Sequence, residues 1–572
     1  MVEPHALKPE PMTNLLKTSL LFLAFLTTCV MAQTQETVYL QTDRPSYVSG
    51  ETLFFKLSVL DAATKKPSDL SKVGYIELRA PKSEPVLKIR VAVSAGVATG
   101  SVVLPDSLHS DVYQFVAFTA FMKNVGESSY FHRELVIANR LDKDLNIRTT
   151  VSADTNSFQQ TDSLLWLRTD KAAYLPGEKV TLHLGSAFSK ANLAVSVYEV
   201  PKGLSLEKST IETLRSPSLK PSAKALGYLV DKPSKILRGR VLDAVTNQRV
   251  QDAIVLLSCS DSVANLQYAV TNQEGLFQLQ LSPYYDGKEL FFSLKEMPAD
   301  QNWKIVVEDN FDLSEPWKPD LRAVQPSTKD FLSKSQDIAY INKIYASLNV
   351  EVEKASSAPQ PFVPLLYRRP VKSIRPSEYV TLDSFPEIAV ELLPSIKLTK
   401  QDGVYHVRTI TREQQFYGRN DATVFLDGVY LDDLHKIIPL GSENIRKIDV
   451  LEDKRAMGDI VFFGIISIQS NSNEILKTVP GPHSLRLKND TVTVGKSSYD
   501  QRPPASGDAR TPFYKQLLYW NPAAAAQTDQ TFFTSENTGD FIIKAEGFAE
   551  DGTPLSAITR IQVNNPTNAT EK

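Results

Sequence analysis

The stretch VYLQTDRPSYVSGE, residues 38–51, returns in the same chain as LWLRTDKAAYLPGE, residues 165–178. Both copies fit the pattern Thr-Asp-(Arg/Lys)-x-x-Tyr-x-x-Gly-Glu, with Asp43 and Asp170 in equivalent places. Self-similarity of this kind within one chain indicates repeated structural units. The pattern, called the opening motif below, therefore predicts two domains of the same type.

Each copy of the opening motif is predicted to form a strand, a turn and a second strand. Asp43 belongs to a residue type that bonds backbone N–H groups in turns, and Gly50 lies where a positive φ is wanted. The segment after the motif places four apolar side chains on one face of a strand: Leu53, Phe55, Leu57 and Val59. These positions are interpreted as folding instructions used twice, rather than as a double binding site.

The motif resembles the start of macroglobulin-like domains, the β-sandwich modules of the alpha-macroglobulin superfamily, which commonly begin close to QTDKPxYxPGE. Gln41 to Glu51 carry this likeness. The first copy is also similar to the form found in cell-envelope proteins of Bacteroidetes. The resemblance implies two macroglobulin-like β-sandwiches, at residues 33–142 and 143–233.

Length and charge set limits on what the chain does. It has 572 residues, which at roughly 100–200 residues per domain predicts about three to six domains. The 63 Lys and Arg residues against 66 Asp and Glu give a net charge of -3. A broad basic field for nucleic acid or an acidic membrane surface is therefore not expected, and nucleic acid is excluded as a partner.

Residues 1–32 are predicted to be a secretory signal peptide, since a short apolar run follows Lys17 and small residues precede a cleavage point after Ala32. Two alternatives stay open: Met12 instead of Met1 as the true start, and lipidation of Cys29 instead of cleavage after Ala32. The mature chain then keeps only Cys259, so no internal disulfide forms. No later run reaches the roughly 18–20 apolar residues of a membrane-spanning helix, so no transmembrane segment is predicted.

The middle of the chain contains two more predicted modules. Residues 234–310 are similar to the carboxypeptidase regulatory-like domain, a small sandwich without a peptidase site, on the strength of Gly239, Val241, Ala253, Val255, Thr271, Gly275, Phe277 and Leu279. Residues 311–361 are predicted to be a linker that contains one amphipathic helix, because Ile338, Ile341, Tyr345 and Leu348 fall at helical spacing.

Residues 362–475 are predicted to form a small α+β domain. Ser384 and Glu387 fit a capping box at the start of a helix, and the pairs Asp402-Gly403 and Asp427-Gly428 predict two tight hairpins. The segment resembles the plug domain of TonB-dependent outer-membrane receptors, on Asp427, Gly428, Ile445, Ile448, Val450, Gly464 and Ile468. About a hundred residues follow, too few for a transport barrel, so a plug-like domain without a barrel is expected. Residues 476–572 are predicted to be a separate C-terminal β domain.

The sequence offers no catalytic, cofactor or metal motif. None of the seven histidines has metal-ligand spacing, and Cys259 lies in an apolar strand as a buried, inert thiol. The acidic set Asp427, Asp432, Asp433 and Glu443 allows a Ca²⁺ site as the alternative to a solvated turn. The aromatic residues Tyr519, Trp520 and Trp303 are expected in the core, with a sugar or peptide platform as the alternative. No catalytic, cofactor-binding or metal residue is therefore assigned.

The sequence as a whole predicts a mainly β chain of tandem immunoglobulin-like or macroglobulin-like β-sandwich modules plus the small plug-like domain. The first functional hypothesis is a non-enzymatic exported scaffold or binding protein of the bacterial cell envelope. It would lie in the periplasm or at the outer membrane, with a protein partner there and an association with TonB-dependent uptake systems. The alternative is a macroglobulin-like protease-binding defence protein that lacks the thioester. An enzyme would need a site assembled between domains.

Overall fold

The computed structural model describes thirteen longer stretches and several isolated residues. The stretches are 35–83, 85–143, 147–149, 164–200, 236–285, 288–295, 301–308, 326–345, 372–410, 420–472, 483–488, 498–500 and 512–565. The isolated or paired positions are 145, 211, 214, 311, 317, 322–323, 366–367 and 370. The predicted signal peptide at 1–32 lies outside the described residues.

The first sandwich begins at the first copy of the opening motif. Its strands are β1 (Glu36–Thr42), β2 (Ser46–Val48), β3 (Thr52–Asp61), β4 (Val73–Arg79), β5 (Pro85–Ala92), β6 (Val97–Val103), β7 (Asp111–Phe118) and β8 (Phe131–Ala138). They form a three-stranded sheet, β1-β3-β6, and a five-stranded sheet, β2-β8-β7-β4-β5. Leu53, Phe55, Leu57 and Val59 lie in the shared core, which confirms the predicted face of β3.

The second copy of the motif begins a sheet that its own segment does not complete. After the short β9 (Arg148–Thr149) come β10 (Leu165–Thr169), β11 (Ala173–Tyr174), β12 (Lys179–Ser186) and β13 (Ala191–Glu199). Within this segment β10 pairs with β12, while β13 finds its partners elsewhere in the chain.

A small sandwich follows at residues 236–307. Its strands are β14 (Ile236–Asp243), β15 (Ile254–Cys259), β16 (Gln267–Val270), β17 (Leu276–Gln280), β18 (Glu289–Lys295) and β19 (Trp303–Val307). Phe277 and Leu279 are buried between its sheets, as the alternation of that segment predicts. The short β20 (Arg322–Ala323) pairs with β9.

Helix α1 (Pro326–Ile344) confirms the helix predicted in the linker, although it begins nine residues before the predicted segment SQDIAYINKIYASL. Ile338 is buried on it, and Leu348 lies outside the described residues. Thr328, Phe331, Leu332 and Ser335 are also buried, so the helix has an extensive contact with the rest of the chain.

A mixed domain occupies residues 372–470. Its elements are β21 (Lys372–Ile374), α2 (Phe385–Leu392), β22 (Ile396–Gln401), β23 (Val404–Thr409), β24 (Thr423–Leu426), β25 (Val429–Leu431), β26 (Ile445–Met457) and β27 (Ile460–Ser470). Both predicted hairpin turns are present, with positive φ at Asp402, Gly403, Asp427 and Gly428. The capping box differs in detail, because the Ser384 hydroxyl donates to Glu387 and Glu387 accepts from the N–H of Asp383.

The chain then returns to the two unfinished sandwiches. The last strands are β28 (Leu485–Lys488), β29 (Tyr499–Asp500), β30 (Leu517–Ala524), β31 (Thr528–Phe533), β32 (Gly539–Ala549) and β33 (Pro554–Val563). β28 adds to β18 of the small sandwich. β30 and β32 pair with the two sides of β13, and β31 pairs with β12.

The predicted separate domain at 476–572 is therefore wrong, and so is the prediction that 143–233 holds a complete second domain. The second sandwich consists of a three-stranded sheet, β10-β12-β31, and a six-stranded sheet, β11-β33-β32-β13-β30-β29. Its core mixes side chains of both segments, such as Leu182 and Val195 with Phe532 and Phe541. The motif fixed where the sandwich begins, but strand pairing across more than 300 residues has no local sequence signal.

The small sandwich and the mixed domain are thus insertions in the second sandwich, and they pack on each other. Leu256 and Leu266 of the small sandwich share a buried cluster with Phe425, Leu451 and Phe462 of the mixed domain. The predicted mainly β fold with tandem sandwiches is confirmed.

Phe541→Ala is expected to destabilise both halves of the second sandwich together. Phe541 is fully buried on β32, and truncation of such a side chain costs about 3–5 kcal/mol. Hydrogen exchange followed by mass spectrometry should show faster exchange in 165–199 as well as in 512–565. Val245→Ala, at a position that is 77% exposed on the small sandwich, is the matched control. Faster exchange confined to 512–565 would contradict the shared sandwich.

A candidate binding cleft where two sandwiches meet

The first copy of the opening motif is organised around the carboxylate of Asp43. Its Oδ1 accepts a hydrogen bond from the Tyr47 hydroxyl at 2.8 Å and another from the Phe54 N–H at 2.9 Å. The Asp43 N–H donates in turn to the Phe54 carbonyl at 3.1 Å. The carboxylate therefore ties the end of β1 to the start of β3, which confirms the predicted role of this residue in the turn.

Arg44 and Glu51 close the same turn from the other side. Arg44 Nη2 lies 2.9 Å from Glu51 Oε2, and that oxygen also accepts from the Val48 N–H at 2.8 Å. The guanidinium carbon of Arg44 lies 4.8 Å from the centre of the Tyr47 ring, within the range of a cation–π contact. Arg44 and Glu51 thus stabilise the turn of the motif.

The second copy repeats this arrangement bond for bond. Asp170 Oδ1 accepts from the Tyr174 hydroxyl at 2.9 Å and from the Thr181 N–H at 2.7 Å. Lys171 pairs with Glu178, as Arg44 pairs with Glu51 in the first copy. The repeated sequence pattern is therefore a repeated hydrogen-bond network.

The surroundings of the two copies differ. Burial raises the pKa of Asp43 to about 6, although Arg44, Tyr47 and the Phe54 N–H all act to lower it. For Asp170 the raising effect of burial is outweighed by its hydrogen bonds, first that from Thr181, so its pKa is lowered. Asp43 is fully buried, whereas Asp170 is exposed.

The second sandwich is what covers the first copy. The outer face of the β1-β3-β6 sheet lies on the six-stranded sheet of the second sandwich, and Phe54 shares a buried cluster with Tyr198, Trp520 and Ile542. The Tyr39 ring meets the Phe548 ring edge to face, with centres 5.9 Å apart. Apolar contacts of this kind make the two sandwiches a stack of four sheets.

Polar side chains are also buried in this interface. The Tyr39 hydroxyl donates to Glu546 Oε2 at 3.1 Å, and Gln41 Nε2 donates to the Glu546 carbonyl at 3.0 Å. Lys56, fully buried, donates to Asn192 Oδ1 at 2.7 Å. Burial lowers the pKa of Lys56 to about 7, because an amide is a weak substitute for water or a carboxylate around an ammonium group.

Helix α1 lies along the seam between the two sandwiches. Gln336 Nε2 donates to the Asp142 carbonyl of the first sandwich segment at 3.0 Å. On the other side, Lys334 Nζ donates to the buried Glu199 at 2.6 Å, and Ser335 accepts from Gln516 at 2.7 Å. The linker helix therefore contacts both sandwiches through side chains.

A cleft of about 540 Å³ opens where the first copy of the motif, helix α1 and the start of β30 converge. Phe54, Val103, Pro105 and Leu517 contribute apolar surface to it. Its charged lining residues are Arg44, Glu51, Asp106, Arg140, Lys343 and Lys515. This volume falls in the range typical of small-molecule sites.

The sequence does not predict this cleft. Arg44 and Glu51 belong to the opening motif, but Asp106, Arg140 and Lys343 lie in segments with no motif of their own. Only the fold brings these segments together, so the sole sequence signal was the charge within the opening motif.

The other residues considered from the sequence lie apart from the cleft. Cys259 is buried, as predicted, and burial raises its pKa to about 11. Tyr519 and Trp520 are buried as expected, while Trp303 is half-buried at the edge of the small-sandwich core. Asp427 accepts two hydrogen bonds from Ser470, from its N–H and its hydroxyl.

The acidic set with Asp427 does not converge. Asp433 accepts from the N–H of His435, and the described part of the chain holds no group of three His, Cys, Asp or Glu side chains arranged for a metal ion. Within that same part, no helix combines the length and the apolar character that crossing a bilayer requires.

Comparison with known proteins gives distant similarities. No family model and no curated protein matches the chain. It is similar to the alpha-2-macroglobulin of Escherichia coli activated by porcine elastase, with 8% sequence identity, a TM-score of 0.24, and coverage of 93% of this chain and 44% of that one. For Salmonella alpha-2-macroglobulin reacted with methylamine the values are 9%, 0.15, 92% and 23%. For dimeric latent PorU from Porphyromonas gingivalis they are 9%, 0.17, 48% and 34%. The chain spans less than half the length of each of these proteins.

Asp43→Asn and Asp170→Asn are expected to change the pH dependence of stability in opposite ways. The folded-state pKa of Asp43, about 6, exceeds its ordinary value of 3.8, so the stability that it contributes is present below pH 3.8 and is lost as pH rises through 6. That loss amounts to roughly 3 kcal/mol. The pKa of Asp170 is lowered, so its contribution is present above pH 3.8 and is lost in acid.

The measurement is hydrogen exchange of residues 36–61 and 165–186 between pH 3.5 and 7, corrected for intrinsic exchange rates. Asp43→Asn should flatten the decline in protection of 36–61 as pH rises. Asp170→Asn should instead remove the loss of protection of 165–186 in acid, and it is the matched control because its bonding network is the same. Equal pH profiles in both variants would contradict the assigned difference in burial.

Proposed function

We propose that this chain is a non-enzymatic, exported scaffold and binding protein of the bacterial cell envelope, built on macroglobulin-like sandwiches. The observation that carries the proposal is the insertion of the small sandwich and the mixed domain between β13 and β30 of the second sandwich. The inserted pair of domains is joined at both ends to the second sandwich, which is itself packed on the first. This attachment suits the presentation of a surface to a partner.

The proposed partner is a protein of the outer membrane, in particular a component of a TonB-dependent uptake system. The resemblance of the mixed domain to receptor plugs motivates this choice. The mixed domain also carries Val380 and Val390 at 80% and 76% exposure. Val380 precedes α2 and Val390 lies on it, and these two side chains are proposed to contribute to the contact with that protein.

We further propose that the chain catalyses no reaction. The buried thiol of Cys259 is a poor nucleophile, because its raised pKa keeps it protonated at neutral pH. The alternative of a protease-binding protein without a thioester is supported by the resemblance of the opening motif and stays a prediction. A protease that survives incubation as a complex with the chain would favour that alternative.

The partner is tested by site-specific photo-crosslinking of the full chain in envelope preparations from the producing bacterium. A benzophenone amino acid replaces Val380 or Val390 on the mixed domain, or Val245 on the small sandwich as the equally exposed control. We expect an adduct with an outer-membrane protein from the first two positions and none from Val245. Adducts at all three positions alike, or at none of them, would overturn the proposed docking through the mixed domain.

A further inference from the structure

The cleft between the two sandwiches holds more positive than negative charge. Four cationic side chains line it, against the carboxylates of Glu51 and Asp106: they belong to Arg44, Arg140, Lys343 and Lys515. Asp106 Oδ2 serves two of them, at 2.9 Å from Arg140 Nη2 and 3.8 Å from Lys343 Nζ. One carboxylate shared by two cations leaves positive charge without a full counter-charge.

Lys515 is the least compensated of the four. Its Nζ donates to the amide oxygen of Asn342 at 3.0 Å, and an amide is neutral. Glu51 is near enough to act on it electrostatically, but Glu51 Oε2 is already bonded to Arg44 and to the Val48 N–H. Burial consequently lowers the pKa of Lys515. Burial in the cleft therefore disfavours the charged form of the Lys515 side chain.

Two of the arginines that line the cleft have an Nε atom that lacks a hydrogen-bond acceptor. Among the described residues, the buried Nε atoms of Arg44 and Arg140 have no hydrogen-bond partner. Buried donors of this kind are uncommon in folded proteins. Arg44 Nε lies 3.8 Å from Asp43 Oδ2, and Arg140 bonds Asp106 through Nη2 rather than through Nε.

We propose that this cleft binds an acidic peptide segment of a protein partner. A carboxylate placed between Lys515 and Lys343 would supply the missing counter-charge through charge-assisted hydrogen bonds. The apolar walls at Val103, Pro105 and Leu517 would contact the neighbouring apolar side chains of the peptide. An inorganic anion would satisfy the cations but leave these walls uncovered, and for this reason a peptide fits the cleft better.

The cleft lies at the junction of the sandwiches, and the surface proposed for the outer-membrane partner lies on the mixed domain. The two proposals therefore fail separately. Crosslinking through Val380 without peptide binding would remove the cleft proposal alone.

Binding is tested by fluorescence anisotropy with the full chain and a labelled, amidated peptide of sequence Ala-Leu-Glu-Leu-Glu-Ala. We expect saturable binding that weakens with added salt, and no saturable binding of the Ala-Leu-Gln-Leu-Gln-Ala analogue. Lys515→Gln should weaken binding at least about tenfold, because this half-buried lysine would lose its charged partner. Lys343→Gln should weaken binding less, because the Lys343 side chain is 60% exposed. Lys179→Gln, on the exposed side of β12, is the matched control and should bind as the unaltered chain does.

Protection from acylation gives a second readout of binding that reports on each lysine separately. With limiting acetic anhydride at pH 8, the peptide should slow modification of Lys515 and Lys343, as measured by mass spectrometry, and leave Lys179 unchanged. Equal binding of the Gln peptide, or unchanged affinity in both lysine variants, would overturn the proposal. Displacement of the peptide by millimolar inorganic phosphate would also overturn it, because the site would then select anions without regard to peptide.

Discussion

Much of the structure depends on how one sheet is completed. The segment that begins with the second copy of the opening motif does not supply all the strands of this sheet. β13 has backbone donors and acceptors on both edges, and buried backbone groups must be paired. β30 and β32, more than 300 residues further on, supply these partners. Without the C-terminal strands the second sandwich has no complete core, because more than half of the side chains in its buried cluster belong to them. The second sandwich is therefore completed only by strands that follow both inserted domains in the sequence.

The interface between the sandwiches follows from the same pairing. Trp520, Glu546 and Phe548, which cover Phe54, Gln41 and Tyr39, all lie on the returning strands. Burial raises the pKa of Asp43 and lowers that of Lys56, and Lys56 faces Asn192 of β13 in this interface. Asp170, in the same hydrogen-bond network without a covering sheet, shows that the network alone does not raise the pKa.

The sequence was informative wherever a structural feature is local. Alternation placed the inner face of β3, Asp402-Gly403 and Asp427-Gly428 marked both hairpins, and helical spacing marked α1. Each depends on residues within a few positions of one another. The completion of the second sandwich by the C-terminal strands and the formation of the cleft were not predicted, because they depend on contacts between distant segments. Lys515, for example, has no motif around it in the sequence, and only the fold places it beside Asn342 of α1.

Helix α1 connects the first sandwich, the second sandwich and the cleft. It is fixed to the first sandwich through Gln336 and to the second through Lys334 and Ser335, while its last turns bring Asn342 and Lys343 into the cleft. A change in the separation of the sandwiches must therefore alter the distance between Lys343 and Asp106 or break a contact of α1. The acidic segment proposed for the cleft would join Lys343 of α1 to Lys515 of the second sandwich, so its binding would be coupled to the packing of the sandwiches through the contact of Lys343 with Asp106 of the first. Arg44 and Glu51 of the first copy of the opening motif, which close the turn at the start of the first sandwich, thus also line the proposed binding cleft.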